Sequence, residues 1–427
     1  MTQISTAKNN DTTEQMKKVS KFEKIDLEKI KKLVASGKIV IPYNPIHSPN
    51  SLGIGKNLRV KVNANIGTSR EYCKPDEEVE KAKTALDAGS DAVMDLSTGG
   101  NLDEIRRKLL KIVDVPFGTV PIYQAGIESI KKHKSIVDMT EDDMFNTFEL
   151  QAKQGVDFAV VHVGVTKVSV ERLKRQKRLI PMVSRGGSFH MAWILHNEEE
   201  NPLYKNFDTL LDIAKKYDVT LSLGDGMRSG ALYDSNDRAK FQELLIIGEL
   251  VERARDAGVQ AMVEGPGHMP ISDIRPNIEV MKKVTDEAPY FVLGPLVTDI
   301  APGYDHYVGG IGGAIAGMYG ADFLCYVTPA EHLSLPDKQD VFDGVIVSKI
   351  AAHAADIARG IDRDIDYDFS RSREKLDWDT MFKLCIDSKK AKRYRDRRKP
   401  VEDEKSCTMC GNLCAIEMVQ KYLKEDE

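Results

Sequence analysis

No run of roughly 18 apolar residues occurs in the 427-residue chain, so the sequence predicts no membrane-spanning helix. The N-terminus lacks an apolar segment behind a basic start, and a secretory leader is not expected. Positive charge is not in excess: 61 Lys and Arg stand against 66 Asp and Glu, a net charge of −5. That balance argues against a general nucleic-acid binder. Cysteine is scarce, with six in all and three of them in one tail, which is no secreted disulfide framework. Together these absences point to a cytoplasmic protein that keeps its thiols reduced.

What is present begins with that tail, Cys407-Thr-Met-Cys410-Gly-Asn-Leu-Cys414. Three thiolates this close can hold one metal centre, yet no fourth ligand stands nearby. No histidine follows His353, and Cys73, Cys325 and Cys385 lie at least 22 residues upstream. A structural zinc site takes four closed ligands. A 4Fe–4S cluster on three thiolates leaves one iron open. An open iron can chelate the amino and carboxylate groups of S-adenosylmethionine, the arrangement needed to break its carbon–sulfur bond by one-electron reduction. A zinc knuckle completed by a distant cysteine or a partner chain is the alternative.

Three zones follow from the patterning. Residues 1–57 read as a polar, lysine-rich helical lead-in without a core of its own. Residues 58–360 alternate short apolar runs with amphipathic stretches. Candidate strands are Val60–Asn65, Ala92–Leu96, Gly118–Ile122, Phe158–His162, Ile180–Ser184, Thr220–Leu223, Gln260–Glu264, Tyr290–Leu293 and Phe323–Val327. Helical patterns such as Asp76–Ala88, Phe207–Tyr217 and Ala239–Ala257 lie between them. Repeated β-then-α units predict an α/β fold with parallel pairing, a (β/α)8 TIM-like barrel, for which nine strands is one too many. Residues 361–427 read as helices leading to the cysteine motif.

Most candidate strands end in a chemically capable residue: Asn65, Asp95, Tyr123, His162, Ser184-Arg185-Gly186-Gly187, Asp225-Gly226-Met227-Arg228 and Glu264-Gly-Pro-Gly-His268. In a barrel these ends share one mouth, so scattered motifs become one site. Ser184 to Gly187 offers unobstructed backbone amides beside a guanidinium, which suits a phosphate. Asp225 and Arg228 could hold ribose hydroxyls or a ring amine, or form a structural ion pair. His268 and His332 each follow a late strand and could share zinc, with water or substrate completing the site. Hydrogen-bonding histidines without metal are the alternative. The glycines of Gly309-Gly-Ile-Gly-Gly313 suit close helix packing better than nucleotide binding.

The runs Asn63-Ala-Asn65-Ile-Gly67, Met94-Asp-Leu-Ser-Thr98, Ser184-Arg-Gly-Gly187, Glu264-Gly-Pro-Gly-His268, Thr298-Asp-Ile-Ala-Pro-Gly-Tyr-Asp-His306, Leu324-Cys-Tyr-Val-Thr-Pro-Ala-Glu-His332 and the cysteine tail resemble the phosphomethylpyrimidine synthase family. These are radical S-adenosylmethionine enzymes that build the thiamine pyrimidine, and the likeness spans nearly the whole chain. The resemblance implies a barrel fed by 5-aminoimidazole ribotide. Asn65, Met94, Tyr123, His162, Ser184, Arg185, Gly186, Asp225, Gly226, Met227, Arg228 and Glu264 would line its pocket. His268 and His332 would bind zinc, and Cys407, Cys410 and Cys414 the 4Fe–4S cluster. It further implies a homodimer and an electron donor such as flavodoxin or ferredoxin.

Departures from the family pattern cluster near the pocket. Ala288-Pro-Tyr290-Phe291 replaces the usual Ala-Pro-Phe-Tyr, so a hydroxyl is lost at 291. His162-Val163-Gly164, Ser188-Phe-His190 and Tyr307 after His306 are also unusual. A sister branch uses the same ribotide and cofactors to make 5-hydroxybenzimidazole, the anaerobic precursor of the cobalamin lower ligand. Because such pocket changes can redirect a radical intermediate, the sequence reading favours this product narrowly, with the thiamine pyrimidine as the alternative. From another class, a zinc-dependent barrel hydrolase with a zinc-knuckle tail would be colourless and active in air.

Overall fold

The computed structural model describes residues 1–398 and 405–423. The chain divides into two units, Met1–Ala358 and Arg359–Glu427.

In the first unit an antiparallel ribbon, β1 (Ile39–Val40) with β2 (Ile54–Gly55), precedes eight parallel strands. These are β3 (Lys61–Ile66), β4 (Ala92–Asp95), β5 (Phe117–Thr119), β6 (Phe158–Val161), β7 (Thr220–Leu223), β8 (Ala261–Glu264), β9 (Tyr290–Leu293) and β10 (Phe323–Cys325). They form a closed barrel in chain order, with Phe323 of β10 in register with Lys61 of β3 and Phe291 of β9. Nearly every strand residue is buried, as expected where helices cover one face and side chains fill the other. Inside, the Phe323 ring stacks on Phe291 at 4.3 Å and meets Phe158 edge-on at 6.2 Å. Gly118 makes room for them, since a Cβ there would stand 2.3 Å from the Phe158 ring. Large and small residues thus alternate to fill the barrel.

The surplus strand is Ile180–Ser184. It is a loop, and β6 pairs directly with β7. Pro181 lacks an amide donor, and the amides of Leu179 and Ile180 donate instead to Asp234 at 2.9 and 3.0 Å. Ile180 and Val183 stay exposed, so the apolar run buries little. The glycines at 309–313 lie in helix Asp305–Tyr319, where a Cβ at Gly312 would collide with the Pro295 carbonyl, so close packing is their role.

The lead-in corrects a second expectation, because it has a core. Helices Gln3–Lys8, Glu14–Glu23 and Leu27–Ala35 bury Ala7, Met16, Val19, Ile30 and Val34 with Ile39, Ile41 and Leu58. Its lysines hid an amphipathic pattern whose apolar stripe is narrow. This layer closes the N-terminal end of the barrel through residues that precede or open the strands. Gln260 exchanges hydrogen bonds with the Ile41 backbone at 2.7 and 3.0 Å. Asp157 accepts from the amides of Asn44 and Phe117 and pairs with His47, each at 2.7 Å. Glu23 meets Lys61 at 3.0 Å with both side chains 2 % exposed.

The second unit has helices Arg363–Glu374, Trp378–Leu384, Ser388–Asp396 and Ala415–Leu423. The Trp378 indole donates to the Lys405 carbonyl at 2.8 Å, and Arg395 lies 3.7 Å over its ring. Among the described residues, no helix is long and apolar enough to cross a membrane.

Candidate active site

A cavity of ≈ 390 Å³ opens at the C-terminal ends of the barrel strands. Seven predicted residues line it: Asn65, Met94, Tyr123, His162, Arg185, Arg228 and Glu264. Asn65 is aimed from both sides, accepting from Asn63 at 2.7 Å and donating to the Cys325 sulfur at 2.9 Å. The Arg185 guanidinium sits 5.1 Å from the Tyr123 ring centroid, a cation–π contact that fixes it without neutralising it. Glu264 is pushed up to about 7, first by burial and against the pull of Arg228, with the Asp225 charge adding to the rise. It therefore stands near half-protonation at neutral pH, where a carboxyl can give or take a proton.

Five predicted residues do not reach the wall. Ser184 follows no strand; it caps helix Arg185–Asn197, its Oγ accepting from the Gly187 amide at 3.1 Å. Gly186 packs against His162. Asp225 is fully buried, does not line the cavity, and forms its ion pair with Lys240 at 2.5 Å and not with Arg228. The amides of Gly226 and Met227 donate to the Glu243 carboxylate at 2.8 and 2.9 Å, and Met227 is buried in the core. Of that turn, Arg228 alone faces the cavity.

Lys240 and Glu243 were missed because helix Arg238–Ala257 reads as ordinary and amphipathic. The available signal was a pair of charges on its buried face, beside Ala239, Leu244 and Ile247. Burial raises Glu243 well above the carboxylate range, and the neighbouring Asp225 charge pushes it the same way. Cys325 was also missed as a wall residue, although it ends a strand as the others do. Burial holds its thiol up at about 12, un-ionised. Phe291 lines the cavity as well, while the Tyr290 hydroxyl points away and donates to Asn277 at 2.8 Å.

His268 and His332 do come together. Their Nε2 atoms face each other at 3.2 Å. Each Nδ1 is held by a carboxylate, His268 by Asp299 at 2.7 Å and His332 by Asp305 at 3.3 Å. A carboxylate on Nδ1 orients the ring and turns Nε2 toward a cation, the outer-shell pattern of histidine metal sites. The donor set fits a divalent ion held by two protein ligands, with water or substrate completing the site. Among the described residues, no three His, Cys, Asp or Glu side chains are grouped to hold a metal ion.

In the second unit the cysteine segment folds back on itself. The Gly411 amide donates to the Cys407 carbonyl at 3.0 Å and Cys414 to Gly411 at 3.1 Å, with Gly411 at φ 53. Cys410 is exposed and Cys414 buried. Three free thiols on one turn are the donor set of an iron–sulfur cluster, although the side chains do not converge as ligands here.

A closed parallel barrel with a polar cavity at the C-terminal strand ends defines an enzyme of the β/α-barrel class, built to enclose a small molecule. The chain belongs to the radical SAM ThiC family, whose model matches residues 2–421. It is 55 % identical over 426 residues to the phosphomethylpyrimidine synthase of Methanocaldococcus jannaschii, covering 99 % of this chain and 100 % of that one. It is 56 % identical over 427 residues to the phosphomethylpyrimidine synthase of Thermoanaerobacter sp., covering 99 % and 98 %. Among solved structures, a dihydropteroate synthase from Coxiella burnetii superposes with a TM-score of 0.42 at 10 % identity, over 74 % of this chain and 99 % of that one. Membership of a radical SAM family implies a 4Fe–4S cluster and S-adenosylmethionine.

Proposed function

We propose that this chain converts 5-aminoimidazole ribotide to the phosphorylated hydroxymethylpyrimidine of thiamine. One observation carries the reading: Arg185, Arg228, His162, Glu264 and Asn65 converge on one cavity at the barrel mouth. Two guanidiniums, Arg185 and Arg228, suit the ribotide phosphate. Asn65, His162 and Glu264 suit the ring and its amine. Full-length identity to relatives named for that product supports the pyrimidine.

In this reading Cys407, Cys410 and Cys414 hold the cluster, and His268 and His332 hold zinc. When bound, the cluster and S-adenosylmethionine supply hydrogen-atom abstraction, and zinc supplies a Lewis acid. The chain itself fixes the ribotide, excludes water and keeps a transferable proton on Glu264. A homodimer and a flavodoxin- or ferredoxin-type electron donor belong to the same proposal, as does a cytoplasmic setting.

A second product has its own observation. Phe291 replaces a hydroxyl in the cavity wall, and Tyr290 carries its hydroxyl away to Asn277. That change favours 5-hydroxybenzimidazole from the same substrate and cofactors. The test is anaerobic incubation of reduced enzyme with aminoimidazole ribotide and S-adenosylmethionine, followed by mass analysis of the product. A phosphorylated pyrimidine is expected. 5-Hydroxybenzimidazole would reverse the order of the two readings, and an unconsumed ribotide would sink both.

A further inference from the structure

Helix Arg185–Asn197 does more than carry Arg185 to the cavity. Its first turn abuts His162, for a Cβ at Gly186 would stand 2.2 Å from His162 Cε1 and 2.4 Å from Nδ1. The N–C–N edge of the ring therefore faces this helix. Across the ring, a Cβ at Gly224 would come within 3.1 Å of Cδ2. Two glycines thus clamp the imidazole at the end of β6.

One turn beyond Gly186, on the same face of the helix, is His190. It is fully buried, with its ring centroid 6.2 Å from that of His162. Among the described residues, neither ring nitrogen of His190 has a hydrogen-bond partner, nor does His162 Nδ1. Bare buried nitrogens are costly, and a core position of this size would accept an apolar side chain without that cost. At this ring separation a direct nitrogen–nitrogen hydrogen bond is out of reach, while one water can span the gap. Burial keeps both rings neutral, His190 down to about 4 and His162 well below the usual imidazole range. A neutral imidazole has one donor and one acceptor nitrogen, so the place of its proton decides what it can bind.

We propose that His190 is a positioning residue for His162: it holds a buried water against His162 Nδ1, fixes the tautomer, and so sets whether Nε2 meets the substrate as donor or acceptor. The substrate half of this rests on the reading that the cavity takes aminoimidazole ribotide.

The test uses cluster-loaded enzyme with ¹⁵N-labelled histidine, comparing wild type, H190M and H190Q. In the wild type, His162 shows one tautomer before any substrate is added. In H190M its ring shifts move toward a tautomer mixture, and ribotide affinity drops about tenfold, the worth of one hydrogen bond. In H190Q, whose amide can still hold the water, the single tautomer persists and affinity stays within about threefold of wild type, since most of that bond is kept. Unchanged His162 shifts in H190M would overturn the proposal. If H190M fails to fold, H190Q decides, and a tautomer mixture there overturns it. If wild type does not bind ribotide, the substrate reading fails while the ring shifts still judge His190.

Discussion

The two ends of the barrel differ in how completely they pair their buried polar groups. At the N-terminal end, buried charges and amides meet specific partners: Glu23 with Lys61, Asp157 with His47 and two amides, Gln260 with the Ile41 backbone. At the C-terminal end, His162 Nδ1 and both His190 nitrogens have no partner among the described residues, and Glu264 is held near neutrality by burial. One end uses polar groups to close the fold. The other pairs many of its polar groups, such as Asp225 with Lys240, but leaves these imidazole nitrogens bare, which costs stability and creates binding capacity.

The largest expected effect tests the closed end. E23Q leaves the Lys61 ammonium buried without its carboxylate and should destabilise the fold by about 3–5 kcal/mol, read as a lower denaturant midpoint. Ribotide affinity per folded molecule should stay unchanged. A loss of affinity without loss of stability would erase the contrast between the ends.

E264Q tests the open end. The Glu264 pKa is raised from 4.5 to about 7 in the folded protein. The unfolded chain therefore releases its proton first as pH rises. The stability tied to this group is full below about pH 4.5 and is lost by the time pH passes about 7. E264Q should flatten the stability curve across that window and be more stable than wild type at pH 8, by on the order of 3 kcal/mol. It should also remove a limb near pH 7 from the activity profile. A wild-type curve already flat from pH 5 to pH 8 would show that the carboxyl is not held protonated.

The smallest effect sharpens the product question. F291Y returns one hydroxyl to the cavity wall and should shift the partition between products by about 1 kcal/mol, roughly a fivefold change in their ratio by mass analysis. Identical ratios would leave position 291 without influence on the outcome.

Much of this was legible in the chain. Thr220–Leu223 and Tyr290–Leu293 fall where their apolar runs place them, and seven predicted wall residues reach the cavity, since strand ends of a barrel share one mouth. Ile180–Ser184 misled because its apolar run resembles a strand, and whether it pairs depends on β7, some 40 residues on, closing directly on β6. The Asp225–Arg228 pair misled because proximity in sequence says nothing about Lys240, which the following helix brings to Asp225.

By itself, the sequence determined the parallel barrel, the family and the three-thiol tail, because these rest on local periodicity and on residue types at fixed spacing. Tertiary structure alone decided which polar residues face the cavity, that Glu264 sits near neutrality, and that His190 lies behind His162. The reason is physical: burial and partnership are set by neighbours far away in the chain, and no local pattern encodes the distance between two rings on different elements.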